Sequence, residues 1–154
     1  MGKIMNYQIE SIKDLKNEIQ PLIEKHWKEI ALNQDKIKLN PDWNTYFKIA
    51  DLGMLKCYTA REDNNLVGYF CVIVNNHLHY ANTSMAMCDV LYIEPDRRRG
   101  RAGADLIKFA ERDLTASGTS VLYMNTKDHA PFDNLLIKLG FSLAERTYSK
   151  YIGE

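Results

Sequence analysis

Residues 94–111, EPDRRRGRAGADLIKFAE, hold four of the chain's seven arginines, Arg97, Arg98, Arg99 and Arg101, set around Gly100 and followed by Gly103. The stretch leads from an apolar segment into a helical pattern, so the arginines fall where a helix begins. A helix N-terminus presents unpaired backbone N–H groups and the positive end of the macrodipole. The dipole contributes about 0.3–1 kcal/mol per charge at an exposed site, whereas a charge-assisted bond from a guanidinium contributes roughly 1.5–3 kcal/mol. Gly100 and Gly103 lack a Cβ and let an anion approach the main chain. The chemistry this predicts is the binding of a ligand with more than one phosphate, such as a pyrophosphate with a further phosphate nearby. Neither G-x-G-x-x-G nor G-x-x-x-x-G-K-[ST] is present, so the dinucleotide and P-loop modes have no support. A charged turn that merely faces water is one alternative. A nucleic-acid patch is another, disfavoured because such footprints extend along a basic face.

The rest of the chain makes this cluster an exception. The 154 residues carry 20 basic and 20 acidic side chains, a formal net charge of zero. No whole-molecule field draws in nucleic acid, and an anion must be gripped locally. The length suits one domain, residues 1–154, with a core that needs no disulfide or structural metal. Cys57, Cys71 and Cys88 are widely spaced without a C-x-x-C pair, which fits buried thiols in a reducing compartment and neither a disulfide framework nor a zinc site. The N-terminus has no signal-like apolar stretch, no run of about 18 apolar residues suggests a membrane span, and Asn6 stands where a myristoylation signal needs Ser or Thr. A cytoplasmic protein is expected.

The elements that must position the cluster follow from periodicity. Residues 4–9 predict a first strand; Ser11 caps a helix bearing Ile12, Leu15, Ile19, Leu22, Ile23 and Trp27, which Pro21 is expected to break or kink. A second helix follows Pro41, with Trp43 and Phe47 apolar, and stops at Gly53. Strands over 54–61 and 66–74 flank a turn through 62–65, and a loop is expected near 77–83. Residues 86–93 (AMCDVLYI) are almost continuously apolar, as in a strand covered on both faces. Leu106, Ile107, Ala110 and Leu114 form one face of a third helix, ended by Gly118. A fifth strand over 120–124, a fourth helix over 131–139 and a final strand or hairpin over 141–152 complete the order: an antiparallel meander leading into a βαβ crossover.

Strand 86–93, Glu94-Pro95, the arginine and glycine turn and its helix resemble motif A of the GNAT acetyltransferase superfamily, Arg/Gln-x-x-Gly-x-Gly/Ala. LIKLGF, residues 136–141, is similar to the closing helix-Gly-Phe element of that family. HLHY (77–80), DVLYIEP (89–95), LIKFAE (106–111) and YSK (148–150) look like the small GNAT-like proteins of bacteriophages. The likeness spans nearly the whole chain. It implies an α/β (α+β mixed) GNAT fold: a central, mostly antiparallel twisted sheet of six to seven strands, about four helices on both faces, and a splay between strands 4 and 5. The cosubstrate it implies is acetyl-CoA, its pantetheine arm against main-chain groups of Leu91, Tyr92 and Ile93 and near Asn125. Its pyrophosphate would rest on Arg98, Arg99, Gly100, Arg101, Ala102, Gly103 and Ala104. Starting the motif at Arg98 puts Arg101 where glycine is usual; starting at Arg97 gives Arg97-x-x-Gly100-x-Ala102, and both registers stay open.

The implied reaction is acetyl transfer to a primary amine by direct attack in a ternary complex. A lysine-like ammonium, with a pKa near ~10.4, must first lose a proton. Asp89, a lone carboxylate in an apolar strand beside the expected thioester, is the first candidate base, and a buried acid satisfied by its neighbours is the structural alternative. His79 is the second, with His77 on the same face if the segment is extended. Two histidines lack the further ligands a metal needs, and no metal is expected. Many relatives place a proton-donating tyrosine four residues before the Gly-Phe glycine; here that residue is Leu136. Tyr148, Tyr123 or water would have to replace it, with Tyr148 preferred. The amine acceptor is unnamed; the phage likeness makes a host protein a reasonable target, and a homodimer is left open. Leu136 also favours a competing class, a CoA-binding module that acts on a host protein by contact.

Overall fold

The computed structural model describes residues 2–154. Its order is β1 (Met5–Glu10), α1 (Ile12–Ile30), α2 (Trp43–Asp51), β2 (Leu55–Glu62), β3 (Asn65–His77), β4 (Tyr80–Ile93), a 3-10 turn (Pro95–Arg97), α3 (Ala102–Ala116), β5 (Val121–Tyr123) and α4 (Asp133–Lys138). The strands form one sheet in the order β1-β2-β3-β4-β5. The first three pairings are antiparallel and β4–β5 is parallel. This is the mixed architecture the patterning predicts, with five strands rather than six to seven.

Each face of the sheet has its own core. On one, Leu106, Ile107, Ala110 and Leu114 of α3 and Leu136 of α4 pack on Tyr58, Phe70, Val72, Ala86 and Cys88. On the other, Ile12, Leu15, Ile19 and Leu22 of α1 pack on Cys57, Tyr69, Cys71 and Tyr92, with α2 contributing Trp43, Tyr46 and Phe47. The three cysteines are free and buried. Polar clasps tie the layers together. The Arg61 guanidinium donates to Glu10 at 2.8 and 2.9 Å and to Glu18 at 2.9 Å, joining β1, β2 and α1. Asp113 of α3 accepts from Lys56 Nζ at 2.9 Å and Tyr58 Oη at 2.7 Å, fastening α3 to β2.

Three local expectations are corrected. Pro21 does not break α1, because Ile12, Leu15, Ile19 and Leu22 are buried on both sides of it; that packing outweighs the ~3 kcal/mol an internal proline costs. The 77–83 segment is strand almost throughout, with His77 opposite Tyr80 and Asn76 opposite Ser84; it reads as loop because it projects into solvent and has no buried apolar face. Residues 141–152 form no strand. Their apolar residues change phase between Leu143 and Tyr148, so no period-two face exists to bury, and Leu143, Tyr148 and Ile152 are 77, 88 and 86% exposed. The 62–65 turn is as expected, Asp63 and Asn64 both at positive φ, 48° and 69°, as a two-residue hairpin requires.

Gly68 of β3 lies tightly against the end of β4. A Cβ there would clash with the Ile93 side chain and lie 2.9 Å from the Tyr92 carbonyl oxygen. Gly68→Ala is therefore expected to cost about 1–3 kcal/mol, read as a lower denaturant midpoint with unchanged slope. A second expectation concerns acid. Arg61 holds Glu10 and Glu18 below the usual carboxyl range, Arg98 does the same to Glu29 and Arg97 to Glu62. Burial opposes the shift at Asp113, but Lys56 and Tyr58 still bring it down. Depressed carboxyls stabilise above their unfolded values, ~4, and lose that contribution as pH falls through the folded ones. A melting series should decline gently below about pH 7, as the unfolded chain protonates His26 while the buried imidazole stays neutral, and more steeply below about 4 as the carboxyls protonate.

Candidate active site

β4 is paired with β3 along its whole length but with β5 only through Met85–Met87 against Val121–Tyr123. Beyond Cys88 no strand among the described residues lies on its β5 side. Asn125, just past β5, reaches back with its amide Nδ2 to the Cys88 carbonyl at 3.4 Å. The stretch holding Leu91, Tyr92 and Ile93 therefore has one unpaired edge, and it runs directly into the arginine turn.

At that turn the arginines divide. Arg97 donates to Glu62 and Asp96. Arg98 donates to both oxygens of Glu29, at 2.5 and 2.8 Å, and through Nε to the Ile93 carbonyl at 2.7 Å, while its guanidinium lies 5.3 Å from the Tyr92 ring centroid. These two side chains brace α1 and β2 against the end of β4, and the charge of the Arg98 side chain is matched internally by Glu29. Arg99 is exposed, and Arg101, 79% exposed, has only a 3.6 Å contact with Asp105. The α3 N-cap is Arg101, no side chain caps the helix, and the first helical bond is Asp105 N–H to the Arg101 carbonyl at 2.8 Å. The N–H groups of Ala102, Gly103 and Ala104 thus have no acceptor among the described residues. A Cβ at Gly100 would meet nothing within 4 Å, and one at Gly103 only Leu135 at 3.7 Å. Open donors, open space and two uncommitted guanidiniums suit a diphosphate.

Asp89 differs most from its sequence reading. Cys71 pairs with Val90 and Val72 with Cys88, which leaves Asp89 as the extra residue of a β-bulge. A bulge re-aims a side chain. Ala86 and Cys88 face α3, so alternation along β4 puts Met87 and Asp89 on the α1/α2 side, and the bulge brings Val90, and with it Tyr92, to that same side. Asp89 is exposed rather than desolvated, and its Oδ2 accepts from Tyr46 Oη at 2.6 Å. Burial, then this bond, push the Tyr46 phenol far above its ordinary value.

Beside it lies a group the sequence analysis did not identify as functional. His26 of α1 has Nδ1 3.2 Å from Tyr69 Oη and its ring centroid 5.2 Å from that of Tyr92. Burial holds the imidazole below its ordinary pKa, and burial raises the Tyr69 phenol. A lone histidine on an amphipathic helix gave no signal by itself; only packing joins it to β3 and β4.

The other candidates are placed elsewhere. His79 sits in the β3–β4 turn, where its N–H donates to His77 Nδ1 at 3.0 Å, ten residues and about 30 Å of strand from Asp89. Tyr148 is on the exposed terminal segment. Leu136 is buried in the α3/α4 core. Among the described residues no three His, Cys, Asp or Glu side chains are grouped to hold a metal, and no helix is long and apolar enough to cross a membrane.

Residues 16–141 match the family model described as the acetyltransferase (GNAT) family. No curated protein sequence matches. Among solved structures, an aminoglycoside acetyltransferase from an uncultured soil metagenomic sample is similar with a TM-score of 0.76, 14% identity, 97% of this chain and 99% of that chain covered. An aminoglycoside N-acetyltransferase, AAC(6')-Iy, in complex with CoA gives 0.74, 15%, 99% and 97%. A ribosomal-protein-alanine N-acetyltransferase from Brucella melitensis gives 0.68, 19%, 98% and 99%. At these identities the structural likeness establishes the fold.

The split among the arginines is testable. Arg98→Ala should lower stability by about 1 kcal/mol, the upper range for a solvent-screened pair, whereas Arg99→Ala should leave the denaturant midpoint within about 0.5 kcal/mol of the parent.

Proposed function

Since this chain belongs to the acetyltransferase (GNAT) family, enzymes that draw their acyl group from acetyl-CoA, we propose that it is an N-acetyltransferase of primary amines, with Asp89 taking the proton from the acceptor. One observation carries the reading: the edge of β4 that β5 leaves unpaired leads into a helix N-terminus whose first N–H groups are uncapped. The N–H groups at the start of α3, with the Arg99 and Arg101 side chains, hold the diphosphate. Main-chain N–H and C=O groups between Asp89 and Ile93 align the arm as an added strand would. Acetyl-CoA, when bound, supplies a thioester-activated acyl carbon. The chain's contribution is to fix that group between β4 and β5 and to present a deprotonated amine to it. Asp89 Oδ1 receives the ammonium proton while Oδ2 stays on Tyr46. Leu136 has no proton to give and His79 lies some ten residues along the strand from Asp89, so the proton needed at the leaving sulfur comes from Tyr148, Tyr123 or solvent.

The acceptor is read as an amine because the similar structures named for acceptors act on aminoglycosides and on a ribosomal protein's alanine. Leu136 supports a second reading, a module that binds coenzyme A and acts by contact with a protein partner.

The test is transfer of isotopic acetyl from acetyl-CoA to small amines and to lysate protein. Label is expected with the parent, reduced at least about 10²-fold by Asp89→Asn while calorimetry still detects coenzyme A. Arg99→Ala and Arg101→Ala should each weaken coenzyme A binding about tenfold. Binding without label would leave the module reading; absence of binding at moderate ionic strength would sink both.

A further inference from the structure

Asp89 is exposed, and an exposed carboxylate on a short stem samples several rotamers. Its Oδ2 is nevertheless tied to the Tyr46 hydroxyl at 2.6 Å. Tyr46 is half-buried on α2, its ring 5.9 Å from that of Trp43, so the phenol is an anchored donor. The Asp89 carboxylate is left with one free oxygen. Met87, two residues earlier on the same face of β4, is 52% exposed, an apolar side chain next to a single negative charge. On the α1/α2 side Glu29 is matched with Arg98, Asp51 with Lys13 and Asp42 with Thr45 at the α2 cap, while Asp14 and Glu24 of α1 make no ion pair among the described residues. The free Asp89 oxygen beside the apolar Met87 side chain suits an ammonium on an aliphatic stem.

Building on the reading of Asp89 as proton acceptor, we propose that Tyr46 is a positioning residue that pins Asp89 through Oδ2, so that Oδ1 and Met87 together receive a primary alkyl amine. The bond aims the free oxygen before the acceptor arrives, and the amine need not reorganise the carboxylate when it binds.

Two measurements test this. In the protein without cosubstrate, ¹³C-tyrosine NMR follows the Tyr46 phenol, whose ionisation burial and Asp89 both oppose; Asp89→Asn should move that titration to lower pH, and an unmoved titration overturns the proposal. In acetyl transfer to hexylamine, Tyr46→Phe should lower kcat/KM about tenfold with the KM for acetyl-CoA unchanged. In an Asp89→Asn background the same substitution should add nothing. Equal losses in both backgrounds would show that Tyr46 acts by packing, and a loss in neither would remove its role; each overturns the inference. If Asp89→Asn itself retained full activity, the underlying assignment of the proton acceptor would fail first. Hexylamine should exceed an aminoglycoside in kcat/KM, and the reverse order overturns the acceptor class.

Discussion

Backbone N–H and C=O groups inside a protein must find partners, and β4 is where this chain leaves that requirement open. β3 satisfies one edge of β4 from Tyr80 to Ile93, while β5 satisfies the other for only three residues. The opening persists because the flanking layers are held independently of it. Arg61 with Glu10 and Glu18 closes the β1, β2 and α1 corner, and Asp113 with Lys56 and Tyr58 holds α3 on the far face. Two cores, one on each face, let β4 end beside a gap without collapse of the sheet.

Charge is distributed to the same end. A protein of zero formal net charge has no far-reaching field to recruit an anion, so the local arrangement decides. Of four clustered arginines, two are consumed as struts by Glu62, Asp96 and Glu29, and two project into solvent next to unpaired N–H groups. The struts set the angle at which β4 enters α3.

The face of β4 changes phase at a one-residue irregularity. Without the bulge, residues 90 and 92 would share the phase of Ala86 and Cys88 and face α3. With it, Val90 and Tyr92 join Asp89 on the α1/α2 side, where Tyr46 of α2 holds the carboxylate. His26, Tyr69 and Tyr92 stack in the adjoining interior, so α1, α2 and β4 meet in one polar and aromatic patch.

By itself the sequence determined the helix start at the arginines, the helical faces of α1 and α3, the Asp63-Asn64 turn and the family pattern, because each is set within a few residues by torsion, capping or periodicity. Asp89 was legible as an unusual carboxylate but not as an exposed one, because how far α1 and α2 cover a strand face depends on where those helices settle, which the strand does not encode. Arg98 could not be told from Arg99 in a run of like residues, since only the approach of Glu29 from α1 matches one charge and leaves the other. The partnership of His26 with Tyr69 and of Tyr46 with Asp89 joins residues 43 positions apart in each case. Tertiary structure decided those pairs, because contact across layers depends on where the helices settle on the sheet.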